Sequence, residues 1–140
     1  MNGQPNRLGF HVRQIRILHL AMLVSIPLYF VVAGLIAPQT ASDVHTMRQG
    51  LTVMALLFSG VAVVLRKRML DSAADILRLR PDDTAALIRW RAAHIVSFAL
   101  CEAVALFGLV LRFLGATTFE AAPFFAVAFV LMLAFRPAAP

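Results

Sequence analysis

Charge and cysteine are what this sequence has little of. Charged side chains make up 14% of its 140 residues, and seven of them are Asp or Glu, whereas an average soluble domain carries about 25%. A chain this short exposes much of its surface when folded, and so few charges cannot cover that surface in water. The single cysteine, Cys101, excludes an internal disulfide framework and any paired-cysteine zinc or redox motif. There is no phosphate-cradling glycine loop, no HExxH and no Gly-x-Ser-x-Gly elbow. The sequence therefore offers no catalytic motif and no metal-ligand set of its own. What fills the chain is apolar: 61% hydrophobic, with a mean hydropathy of +0.83, the reverse of the disordered signature. These proportions predict one integral membrane domain over residues 1–140.

The net charge is +6 and the pI near 11.3, yet the positions of the charges say more than their sum. Eleven of the thirteen Lys/Arg fall in the N-terminal arm (Arg7, Arg13, Arg16), the stretch 66–91, and the tail (Arg136). That is the positive-inside distribution. Anionic lipid headgroups, not nucleic acid, are the expected partners of these residues.

Four apolar segments predict an all-α protein of four transmembrane helices, spanning about 17–38, 48–68, 87–114 and 121–136. Pro27 predicts a kink in the first span rather than an end, and Pro123 fits the first turn of the fourth. The first apolar stretch is too long for a cleaved signal peptide. Residues 39–50 and 115–120 are short outer loops, placing His45 in a loop. Between spans two and three, the basic connection 66–91 alternates Leu70, Ile76, Leu77 and Leu79 with Asp71, Asp75, Arg78 and Arg80, so it is expected to lie along the headgroups on the cytoplasmic side. Pro81 should end it, Asp82 or Asp83 should cap the next helix, and Trp90 should mark its membrane entry. The arginine asymmetry puts both termini in the cytoplasm, as expected of a multi-pass protein of a bacterial inner membrane. The two halves also look alike: a long span, a short loop, then a shorter span ending in a basic flank. Equivalent hairpins side by side would form a four-helix bundle.

Polar chemistry concentrates in the third span. At about 100° per residue, His94, Ser97, Cys101, Ala105, Gly108 and Arg112 share one face, and Glu102 lies at its edge. Small residues on such a face mark helix–helix contact, within the bundle or with another subunit. Glu102 sits almost midway along the apolar run, where an ionised carboxylate costs about 2.5 kcal/mol or more. It is therefore expected to be protonated, hydrogen-bonded or paired. Arg112, ten residues on, is roughly 15 Å away along the axis and cannot be its partner on the same helix.

The run Cys101-Glu102-Ala103-Val104-Ala105-Leu106-Phe107-Gly108-Leu109-Val110 resembles the carboxylate-bearing helix of the rotor-ring proteolipid, subunit c, of F- and V-type ATPases. That resemblance covers about twenty residues and implies that Glu102 would carry a proton or sodium ion. The preceding span departs from the proteolipid pattern, with Gly60 in place of a glycine-repeat stripe, and a further span follows the Glu helix. The chain as a whole resembles a small uncharacterised bacterial four-span family, which brings no function with it.

His19 and His94 supply a second chemistry. Both stand just inside the start of a long span, as a bis-histidine b-type haem site requires, and a quinone could use a histidine with Ser97 or Trp90. His11 belongs to the arm. The leading expectation is a small integral subunit of a larger membrane complex or homo-oligomer, structural or assembly-related, with possible proton handling at Glu102. The alternatives are a haem- or quinone-binding anchor using His19 and His94, and a c-like ion-carrying proteolipid.

Overall fold

The computed structural model describes residues 7–36, 44–80 and 83–137. Four helices account for nearly all of them: α1 (Arg7–Leu35), α2 (Val44–Leu79), α3 (Thr84–Phe113) and α4 (Thr118–Ala134), with no strand among the described residues. The protein is all-α. The first three helices are long and apolar enough to cross a membrane; α4, with 17 residues, is shorter.

Side-chain contacts fix the directions. His19 meets Phe98, and Ser25 and Tyr29 meet Glu102, so α1 runs parallel to α3. Arg66 meets His94, and Phe58 meets Phe107, so α2 is antiparallel to α3. His19 reaches Met132, and Phe30 meets Phe125, which makes α4 antiparallel to α1. The order is up, down, up, down, and α3 is the hub on which the other three helices pack.

The halves are not equivalent hairpins in their packing. α3 and α4 pack closely on each other, whereas α1 turns to α3 and α4, and α2 rests almost entirely on α3. The reason is in α2: its buried residues are Ala55, Ala62, Ala73 and Leu77, spaced by close to whole helical turns. This narrow stripe of small side chains lets α3 approach along one line. Val53, Leu56, Leu57, Val61 and Val64 on the remaining faces stay exposed.

Boundaries differ from expectation in several helices. α1 begins at Arg7, not near residue 17, so His11, Arg13 and Arg16 belong to this helix and not to a separate arm. α2 begins at Val44, so His45 and Arg48 are helical rather than looped. The helix also runs unbroken through Arg66–Arg68 to Leu79. No glycine or proline lies between 61 and 80, and nothing else interrupts the backbone hydrogen bonding there. At about 1.5 Å per residue its 36 residues reach roughly 54 Å. Ala73 and Leu77 are buried where α2 follows α3, so this stretch is the continuation of a long helix, not a separate surface helix. Pro81 and Asp82 lie outside the described residues, as does most of the loop before α2. Asp83 is the N-cap of α3, accepting from the Ala86 N–H at 2.9 Å.

α4 starts at Thr118, so Pro123 stands in its second turn rather than its first. Thr117 and Glu120 form a reciprocal capping box. Gly115, at φ 97°, makes the sharp exit from α3 in a conformation that side chains resist. At Gly108 the two helices nearly touch: an added Cβ would stand 2.9 Å from Phe124 Cβ and 3.2 Å from the Ala121 carbonyl.

Candidate functional site

The polar face of α3 is buried along its whole length, and three different helices cover it. His94, Ser97, Cys101, Ala105, Gly108 and Arg112 are all inside. Ser97 Oγ donates to its own helix, to the Ala93 carbonyl at 2.7 Å. Cys101 is a buried free thiol.

Glu102 lies at the edge of this face, half-buried. Tyr29 Oη on α1 donates to Glu102 Oε1 at 2.7 Å, and Ser25 Oγ lies 3.1 Å from the same oxygen. Ser25 Oγ is also 2.8 Å from the Met22 carbonyl, and its one proton serves one of these acceptors at a time. Both hydroxyls are aimed at Oε1; neither reaches Oε2. Ile95, Leu106, Val110 and Phe113 are exposed on the same side of α3. Glu102 therefore sits in an open apolar strip, between the line where α1 packs and the line where α2 packs. Ser25 and Tyr29 are not among the residues expected from the sequence to form the site. Their signal was their spacing: four residues apart, they share a face of the first span.

The two histidines come near each other at the opposite end. His19 is buried, and its Nε2 lies 2.9 Å from the Met132 carbonyl, which can only accept. His94 Nδ1 lies 3.2 Å from Arg66 Nη1. A guanidinium has no lone pair to offer, so Nδ1 accepts and the ring proton sits on Nε2. That Nε2 is the one buried side-chain polar atom without a partner among the described residues. Phe98, fully buried, packs against both imidazoles, with ring centroids 5.1 Å from His19 and 5.7 Å from His94. Trp90 closes on His94 from 4.6 Å. Phe98 thus stands against both rings, and His19 Nε2 is engaged by the Met132 carbonyl. No group of three potential metal ligands occurs among the described residues.

Two arginines tie the helices together. Arg112 is buried and donates from Nε to the Ala33 carbonyl at 2.9 Å, from Nη1 to the Ala116 carbonyl at 2.7 Å, and from Nη2 to the Ile36 carbonyl. Arg66 holds the far end, donating to the Arg136 carbonyl at 3.0 Å and standing 4.8 Å over the Phe135 ring. A third contact joins α2 to α4: Arg48 Nη1 donates to Glu120 Oε1 at 2.8 Å. The Thr117 bonds of the capping box, and then Arg48, hold the Glu120 carboxyl below the usual carboxylate range.

The fold and these contacts define an all-helical protein organised around α3, with three helices long and apolar enough to cross a membrane. Compared with protein-family models, curated proteins and solved structures, the chain matches none.

Proposed function

We propose that this chain is a small four-span subunit of a bacterial inner-membrane assembly, with both termini cytoplasmic, and that it docks a helix of another subunit or copy along the open strip containing Glu102. The observation that carries the reading is the half-buried carboxyl of Glu102 within exposed apolar side chains. Lipid tails offer no hydrogen-bond partner, and an unsatisfied polar group there is costly. Tyr29 and Ser25 serve Oε1; a docked helix bringing a donor would serve Oε2. A proton on the carboxyl is the other way to satisfy it, and it suits the local geometry. If Ser25 gives its proton to Met22, a protonated Glu102 can donate to Ser25 while accepting from Tyr29. Proton handling at Glu102 is therefore part of the proposal.

Mild extraction from the native membrane, with size determination of the Glu102→Leu and Glu102→Gln variants, tests this. The wild type should run in an assembly larger than its 15.3 kDa. Gln should remain in it, and Leu should weaken association by on the order of 1 kcal/mol, the scale of intramembrane hydrogen bonds. A wild type that runs as a monomer overturns the subunit reading. Carbodiimide, which attacks protonated buried carboxyls, should label Glu102; absence of labelling together with full function of Glu102→Gln removes the proton.

A further inference from the structure

A second feature lies on the other side of α3, where α2 and α4 run parallel without packing on each other. The gap is a groove of about 410 Å³. Its walls include Leu56 and Ser59 of α2 with Pro123 and Val127 of α4, closing over the buried Val104 of α3. The hydroxyls that reach it are turned back on their own helix: Ser59 donates to the Ala55 carbonyl at 2.7 Å and Thr52 to the Arg48 carbonyl at 2.8 Å. The groove is therefore apolar in chemistry as well as composition. At one end alone it meets charge, the Arg48–Glu120 pair, whose side chains remain 39% and 32% exposed.

Size and length limit the occupant. From Arg48 to Ser59 the groove follows eleven residues of α2, roughly 16 Å of helix. That is about half of a ~30 Å hydrocarbon core, or one leaflet. An extended hydrocarbon chain fits along a groove of that length and volume. The charged end selects the headgroup. A single exposed arginine would favour an anionic lipid; an arginine and a carboxylate held 2.8 Å apart match a headgroup carrying both signs with donors on its cation.

We infer that the α2–α4 groove is a binding site for one aminophospholipid of the phosphatidylethanolamine type, its acyl chain between Leu56 and Val127 and its phosphate and ammonium on Arg48 and Glu120. The phosphate takes guanidinium N–H donors, and the ammonium donates to the carboxylate. The site is independent of Glu102, on a different side of α3, and requires only that the helices stand in a bilayer.

The full-length protein, exchanged in mild detergent against an equal mixture of phosphatidylethanolamine, phosphatidylglycerol and phosphatidylcholine, is examined by native mass spectrometry. One phosphatidylethanolamine should be retained, at least fivefold over either competitor. Leu56→Trp, which fills the groove from an exposed position, should lower retention at least tenfold. Glu120→Gln keeps the capping geometry and removes the ammonium's partner, so it should shift preference to phosphatidylglycerol. Val127→Trp repeats the filling from the other wall should Leu56→Trp not fold. Equal retention of the three lipids, no retained lipid, or retention untouched by the filling variants overturns the inference. Preference for phosphatidylglycerol in the wild type overturns the headgroup assignment.

Discussion

Two glycines in like helical settings should respond to the same substitution with opposite signs. Gly108→Ala places a methyl group 2.9 Å from Phe124 Cβ, 3.0 Å from Phe125 Cε2 and 3.2 Å from the Ala121 carbonyl oxygen. Phe125 Cε2 is the far end of a side chain and can swing away. Phe124 Cβ and the Ala121 carbonyl are fixed to the backbone of α4 and cannot. The helices must separate by a few tenths of an ångström, and α4 also contacts α1, so the strain spreads. Overpacking of this kind costs about 1–3 kcal/mol. Gly60→Ala is the control: nothing stands within 4 Å of its added methyl, and Ala is the better helix former by up to about 1 kcal/mol. Reversible unfolding in mixed detergent micelles, followed by far-UV circular dichroism, should place Gly108→Ala below the wild type and Gly60→Ala level with or above it. A Gly108→Ala protein as stable as Gly60→Ala would refute the close α3–α4 contact and the hub arrangement that depends on it.

Arg112→Met keeps length and removes the donors to Ala33, Ile36 and Ala116; it should destabilise by about 2–4 kcal/mol, with hydrogen exchange rising first at the end of α1. Glu120 has its pKa lowered on folding, so its contribution is present above the usual carboxylate range and disappears as pH falls through the depressed folded value. Thermal midpoints of wild type and Glu120→Gln should accordingly differ at neutral pH and converge in acid. For topology, Thr40→Cys and Phe119→Cys should label from the non-cytoplasmic side and Ser72→Cys from the cytoplasmic side. Buried Cys101 contributes no background, and labelling of Thr40→Cys or Phe119→Cys from the cytoplasm alone would reverse the orientation.

The sequence made the helices legible because apolar runs are the strongest signal a membrane chain carries. It misplaced their ends because apolarity reports where lipid is, not where hydrogen bonding stops. α2 passes from Leu65 into Arg66-Lys67-Arg68 without a break; the change in polarity there looked like an end, while the absence of glycine and proline up to residue 80 said otherwise. The small polar face of α3 could be read because 100° spacing brings His94, Ser97, Cys101, Gly108 and Arg112 together. Its partners could not. That Arg66 reaches His94, or that Tyr29 reaches Glu102, depends on which helices pack and in what register, and apolar helices carry little pairing information. The apparent likeness of the halves misled for the same reason. Composition repeats, and α4 even buries Ala121 and Ala128 at the spacing of Ala55 and Ala62 in α2, but it adds buried Phe124, Phe125 and Met132 and packs on both α3 and α1.

The arginines outside the three basic clusters acquire a meaning from the structure that counting cannot supply. They are Arg48 and Arg112, both at the end of the molecule opposite the clusters, and both would weaken a charge-based orientation if they were free. Neither is. Arg48 is paired with Glu120, and Arg112 donates to three carbonyls, two of them at the C-terminal end of α1. The last carbonyls of a helix have no partner within it, and the backbone dipoles make that end negative. A buried guanidinium there is stabilised without any carboxylate, and it fastens α1 to the hub at the same time. At the other end Arg66 donates to the carbonyl of Arg136, two residues past the last residue of α4. Set aside the two arginines whose positions the fold explains, and the remaining basic residues stand at one end of the bundle. The proposed orientation rests on that asymmetry.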